Sequence, residues 1–126
     1  MTLRFRTRET ELAIARLEPD AAIPAWAWGG AFASVTRTFR ELSIVCLAER
    51  VPGEVRHERG WAMLELEGPF AFELTGILAS FLAPLAEAKI GIFAISTFDT
   101  DVVLVKRASL DAALAALARA GHVRVD

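Results

Sequence analysis

Ile90-Gly91-Ile92-Phe93-Ala94-Ile95-Ser96-Thr97-Phe98-Asp99-Thr100-Asp101-Val102-Val103-Leu104-Val105 decides how this chain folds. Two apolar runs flank a short polar connection, the pattern of two strands joined in a hairpin. The connection carries two carboxylates, two threonines and a phenylalanine. That exceeds the hydrogen-bonding capacity a tight Asn-Gly or Asp-Gly turn needs. The connection is therefore a candidate for binding as well as for turning.

Helical patterns lie on both sides of the hairpin. Upstream, Leu74, Ile77, Leu78, Phe81, Leu82 and Leu85 recur at the three- and four-residue spacing of one helical stripe. Pro84 removes a backbone donor late in that helix and predicts a bend. Lys89 suits the negative end of the helix dipole, and Gly76 reads as an allowance for close helix packing. Downstream, Ser109 is a predicted N-cap with Asp111 in the first turn. Leu110, Ala113, Leu114 and Leu117 form the next stripe, and Gly121 closes the helix in the left-handed conformation. Val123 and Val125 suit a final short strand. A strand over 61–67, stopped by Gly68-Pro69, starts the series. The order from residue 61 is therefore β-α-β-β-α-β, the ferredoxin-like arrangement with two helices on one face of an antiparallel sheet.

The first half is less regular. Residues 11–17 read as a strand, and Pro24 to Trp28 as one helical turn with proline at its start. Residues 32–38 and 42–47 form a predicted hairpin, and a polar loop follows from Val51 to about Arg59. Arg4, Arg6 and Arg8 read as a solvated edge strand. Only a polar loop stands where a second helix would be, so this half reads as a trimmed copy of the same unit. The expected fold is α+β, with two ferredoxin-like βαββαβ units: a degenerate one over 1–59 and a complete one over 60–126.

Composition narrows the function classes. With 54% hydrophobic residues in 126, some apolar surface is expected in an interface between halves or subunits. A net charge of −2 with mixed signs gives no clustered basic face, so nucleic acid is not an expected partner. The apolar region from Leu74 to Ala88 is interrupted by Gly76, Ser80, Pro84 and Glu87. It falls short of the roughly 20 apolar residues of a membrane span. No signal segment opens the chain, and the single cysteine, Cys46, lies in an apolar run. A reducing, cytoplasmic setting without a membrane partner is expected. His57 and His122 have no Cys or acidic partner at metal-ligand spacing. Asp99-Thr100-Asp101 lacks the rest of a calcium loop. No phosphate-binding glycine loop, nucleophile elbow or triad context occurs. Neither metal, cofactor nor catalytic residue is expected. Trp26, Trp28 and Trp61 read as core or interface residues.

Three blocks resemble a known family. They are Phe32-Ala33-Ser34-Val35-Thr36-Arg37-Thr38 with Glu41 to Val45, Gly60-Trp61 with Glu67 to Leu78, and Ile90 through Asp101. In this order, over residues 26–126, they resemble ACT domains, small amino-acid-sensing modules. The likeness is to short bacterial tandem-ACT proteins related to the CASTOR arginine sensors. The resemblance implies two ACT-like units side by side, with an amino acid bound at the junction between units or subunits. Carried over by position, Ser34 and Val35 would meet the α-amino-acid end. Thr97, Phe98 and Asp101 would meet the rest of the ligand. Ala71, Glu73, Leu74 and Thr75 would form a further wall. Leu74 stands where the arginine sensors carry an acidic residue, and Val102 where relatives carry a ring.

The residues suit those roles chemically. The loop before Thr75-Gly76 reads as a helix start, whose unpaired N–H groups suit a carboxylate, and Ser34 offers a hydroxyl. Asp101 offers a charge-assisted hydrogen bond to an ammonium or guanidinium, and Phe98 a cover for an aliphatic part. Asp99 reads as turn chemistry. The leading reading is a non-catalytic amino-acid sensor acting as a homodimer. The alternative is a structural or protein-interaction module with a vestigial pocket.

Overall fold

The computed structural model describes residues 1–126. Seven strands and two α-helices follow in order: β1 (Arg4–Leu17), β2 (Ala33–Arg37), β3 (Leu42–Leu47), β4 (His57–Leu66), α1 (Ile77–Glu87), β5 (Phe93–Ser96), β6 (Asp101–Lys106), α2 (Leu110–Arg119) and β7 (Val123–Arg124). Two compact units result. One comprises Met1–Glu9 with Ala62–Asp126, the other Thr10–Trp61. The long strands β1 and β4 contribute residues to both.

The unit of 1–9 and 62–126 holds the strand order β7-β1-β4-β6-β5. Alternate residues of three strands share one face: Leu3 and Phe5, then Ala62, Leu64 and Leu66, then Val103 and Val105. Ile77, Phe81 and Leu85 of α1 and Leu110, Ala113 and Leu117 of α2 pack on that face. Both helices thus cover one side of the sheet, as the β-α-β-β-α-β order predicts. β5 and β6 pair antiparallel from Phe93↔Leu104 to Ser96↔Asp101. The sheet is not antiparallel throughout: β7 runs parallel to β1, with Arg4 opposite Val123 and Phe5 opposite Arg124.

The arginine-rich start is a strand but not an edge. Between β7 and β4, Leu3, Phe5 and Thr7 are buried while the arginines alternate outward. Arg4 pairs with Glu67 at 3.3 Å and Arg8 with Glu65 at 3.1 Å. These ion pairs are exposed, so they add little stability and mainly suit the solvated face. At the end of the chain Asp126 accepts the Thr7 N–H at 3.0 Å and the Thr7 hydroxyl at 2.5 Å. Those two bonds, with Arg124 alongside, hold its carboxyl well below the usual range.

Several local details depart from the sequence pattern. Helix α1 starts at Ile77, so Leu74 lies outside it, in a turn closed by its own N–H to Ala71 O at 3.1 Å. The break is Gly76, at φ 78°, a backbone conformation that costs glycine little. A Cβ on Gly76 would meet nothing within 4 Å, so conformation and not close packing explains the residue. Lys89 takes the left-handed position after α1 at φ 61°. Ser109 makes no side-chain cap; it belongs to a 3-10 turn, Arg107–Ser109, that runs into α2. Trp28 is 51% exposed, whereas Trp26 packs against a core.

Pro84 leaves the Ser80 carbonyl without its helical donor. The Nε2 of His122 lies 3.0 Å from that carbonyl, and its Nδ1 accepts the Leu3 N–H at 3.1 Å. The partners fix the tautomer: Leu3 N–H only donates and Ser80 O only accepts, so the proton sits on Nε2. His122 is 5% exposed and its ring lies 5.5 Å from that of Phe81.

The unit of 10–61 contains no α-helix. β3 pairs antiparallel with β1, Leu12↔Leu47 to Leu17↔Leu42, and with β2, Ala33↔Cys46 to Arg37↔Leu42. The unit has two 3-10 turns, Ala25–Ala27 after Pro24 and Ala48–Arg50 after β3. Its core is built of small and branched residues, Ala13, Ala15, Ala27, Leu42, Ile44 and Cys46 among them. Burial raises the Cys46 thiol pKa, against a smaller opposing effect of Arg50. No helix is long and apolar enough to cross a membrane, and no group of three or more His, Cys, Asp or Glu could hold a metal ion.

Candidate functional site

The site is built where the β5–β6 turn meets the connection between β4 and α1. The turn is closed by the Thr97 N–H to Thr100 O at 2.8 Å and by the Thr97 hydroxyl to the same oxygen at 3.1 Å. Thr97, not Asp99, supplies the side-chain turn chemistry; Asp99 contributes its backbone oxygen, which accepts the Phe70 N–H at 2.8 Å. Thr100 adds a second tie, its hydroxyl donating to Leu66 O at 2.9 Å. The two walls of the site are therefore fastened to each other.

Gly68, which precedes Pro69 through a cis peptide bond, makes that fastening possible. A Cβ on Gly68 would lie 2.7 Å from Asp99 O and 3.1 Å from the Thr100 Cβ. The first obstacle is backbone and cannot swing aside. Gly68→Ala is expected to cost about 1–3 kcal/mol, the range for overpacking. It should also loosen the Phe70–Asp99 bond, visible as faster amide exchange at Phe70; unchanged exchange and stability would refute the contact.

Between these walls lies a cleft of about 320 Å³. It is lined by Phe70, Ala71, Phe72 and Leu74 of the connection, by Gly76 to Ala79 at the start of α1, and by Ser96 to Asp101 of the β5–β6 turn. Its only charged lining residues are Asp99 and Asp101. Asp101 is half-buried and accepts the Ser96 hydroxyl at 2.5 Å on Oδ1, leaving Oδ2 available. Asp99 is exposed. No side chain caps α1, whose first intrahelical bond runs from Ser80 N–H to Gly76 O at 2.9 Å. The N–H groups of Ile77, Leu78 and Ala79 thus carry the helix's positive end into the cleft. Phe72 of the connection and Phe98 of the turn, both lining the cleft, meet edge to face, ring centroids 5.1 Å apart at 82°.

Of the residues singled out in the sequence, Ala71, Leu74, Thr97, Phe98 and Asp101 line this one cleft. Glu73 and Thr75 belong to the same connection but do not line it. Ser34 and Val35 lie on β2 in the unit of 10–61, with Val35 packed against that unit's core. Phe70, Phe72 and Ser96 were not singled out as ligand contacts. The available signal was two phenylalanines just after Gly68-Pro69 and off the helical stripe.

An ACT-domain family model matches residues 56–119, a little over half of the chain. A model described as an N-terminal domain matches residues 10–54. No curated protein matches. Among solved structures, a protein from Agobacterium tumefaciens is 46% identical with a TM-score of 0.94, covering 99% of this chain and 93% of that one. A Vibrio cholerae protein of unknown function, described as a possible transport protein, is 18% identical at a TM-score of 0.73, covering 95% and 91%. The regulatory subunit of aspartate kinase from Thermus flavus is 11% identical at a TM-score of 0.65, covering 92% and 95%. The last two are similarities of fold. By the family match over its C-terminal half, in keeping with its two helices on one face of the sheet, the chain belongs to the ACT-domain family.

Proposed function

We propose that this chain is a non-catalytic regulatory module that binds a free amino acid. The observation that carries the reading is one cleft of amino-acid size joining an uncapped helix start to a half-buried carboxylate. The ligand carboxylate meets the Ile77, Leu78 and Ala79 N–H groups, and its ammonium meets Asp101. Thr97 and Phe98 form the adjoining wall, with Ala71 and Leu74 opposite; Glu73 and Thr75 are proposed as further contacts from the same connection. Ser34 and Val35 are proposed contacts in their own right, tested by Ser34→Ala. We read the protein as a tandem of a trimmed ACT-like unit over 1–59 and a complete one over 60–126, akin to the CASTOR sensors, working as a cytoplasmic homodimer.

A thermal-shift screen of the amino acids tests this. Ligand at a hundred times its Kd should add about 2.7 kcal/mol of stability and raise the melting temperature. Asp101→Ala should abolish the shift. No shift from any amino acid, with calorimetry equally silent, defeats the reading; an unchanged affinity in the variant removes Asp101 from the site. A second reading, an interaction module with a vestigial pocket, draws on the exposure of Phe72, Leu74 and Phe98. It requires assembly, followed by sedimentation at several concentrations, to be indifferent to every amino acid.

A further inference from the structure

We propose that the cleft selects an α-amino acid with an apolar side chain, and that Phe72 and Phe98 form the subsite that receives it. This rests on the amino-acid reading above and extends it to the part of the ligand that differs between amino acids.

The polar groups of the cleft leave little to bind a polar or charged side chain. The zwitterion itself occupies the helix start and Asp101. Each hydroxyl lining the cleft already has its proton in a hydrogen bond, so none is free to donate to a ligand. Ser96 donates to Asp101, Thr97 to Thr100 O and Thr100 to Leu66 O. A polar side chain would find no free side-chain donor and would lose hydrogen bonds to water on entering. No Lys or Arg lines the cleft, so an acidic side chain would meet the two carboxylates without compensation. For a basic side chain only Asp99 remains, and an exposed carboxylate pairs weakly.

Apolar surface is what the site has in surplus. Phe72 is 73% exposed, Phe98 79% and Leu74 56%. The two rings stand at 82° to each other, so their faces bound a corner. A branched alkyl group or a ring seated there removes apolar area from water on both sides. The volume of about 320 Å³ lies at the lower end of small-ligand sites. It suits a single amino acid better than a peptide or a nucleotide.

The test is calorimetric titration of the full chain with leucine, isoleucine, valine, methionine and phenylalanine, then with arginine, lysine, aspartate, glutamate and serine. 4-Methylpentanoate and 3-methylbutylamine, which lack the ammonium and the carboxylate respectively, complete the set. The best apolar amino acid should bind at least about tenfold tighter than any of the charged ones, serine or the two truncated ligands. Phe98→Ser and Phe72→Ser should each weaken it by about tenfold, with the melting temperature of the free protein unchanged. Two substitutions are used so that a folding defect in one still leaves the other to decide. Tighter binding of arginine, lysine or an acidic amino acid overturns the apolar subsite but leaves amino-acid binding intact. Unchanged affinity in both serine variants also overturns the subsite. Binding of no amino acid at all removes the reading beneath it as well.

Discussion

Replacing Phe81 with alanine is expected to lower the unfolding free energy by about 3–5 kcal/mol, the range for a large aromatic removed from a core. Phe81 has no exposed surface and sits in the middle of α1. Its ring meets that of Phe5 edge to face, centroids 5.3 Å apart at 71°. The lost side chain removes contacts to the β1 strand on which α1 rests, as well as apolar burial. Because a domain of this size is stable by only about 5–15 kcal/mol, the change consumes a large share of the total. Urea unfolding followed by far-ultraviolet circular dichroism gives the measurement. The same experiment on Phe98→Ala supplies the contrast. That ring is 79% exposed, and the expected change is within about 0.5 kcal/mol. Equal losses in the two variants would contradict the division between core and cleft aromatics.

That division marks how far the sequence could be read. The stripe from Ile77 to Leu85 was legible because helical spacing repeats over several turns and one face stays apolar. The β5–β6 hairpin was legible for a similar reason, two apolar runs around a short polar connection. Leu74 fitted the same stripe by spacing alone; Gly76 in its left-handed conformation breaks the register, and one residue pattern does not carry that information. The arginine-rich start gave a strand, yet its place inside the sheet depends on β7 arriving from the far end of the chain. Contacts so distant in sequence leave no local trace. The lining of the candidate cleft was half legible. Polar excess marked the β5–β6 connection and the resemblance singled out Thr97 and Asp101 within it, whereas the contact between Phe72 and Phe98 arises only in the folded chain.

His122→Leu is expected to cost about 2–4 kcal/mol, although it keeps much of the buried volume. The cost arises from two groups left behind. The Leu3 N–H loses its acceptor and the Ser80 carbonyl loses its donor. The buried orphan at Leu3 costs about 1–3 kcal/mol and the part-buried one at Ser80 about 1 kcal/mol. The Ser80 carbonyl is available to His122 because Pro84, four residues on, has no N–H to give it. Pro84→Ala restores that donor. In the parent chain the carbonyl is already satisfied, so the restored N–H gains less there. In the His122→Leu background it rescues an orphan, and should recover about 1 kcal/mol more than in the parent. The double-mutant cycle by urea unfolding therefore yields a coupling of that sign. A coupling of zero would mean that the histidine and the proline act independently, and that Ser80 O finds another partner when either is changed. The single mutant alone cannot make this distinction, since loss of the Leu3 bond destabilises the chain in either case.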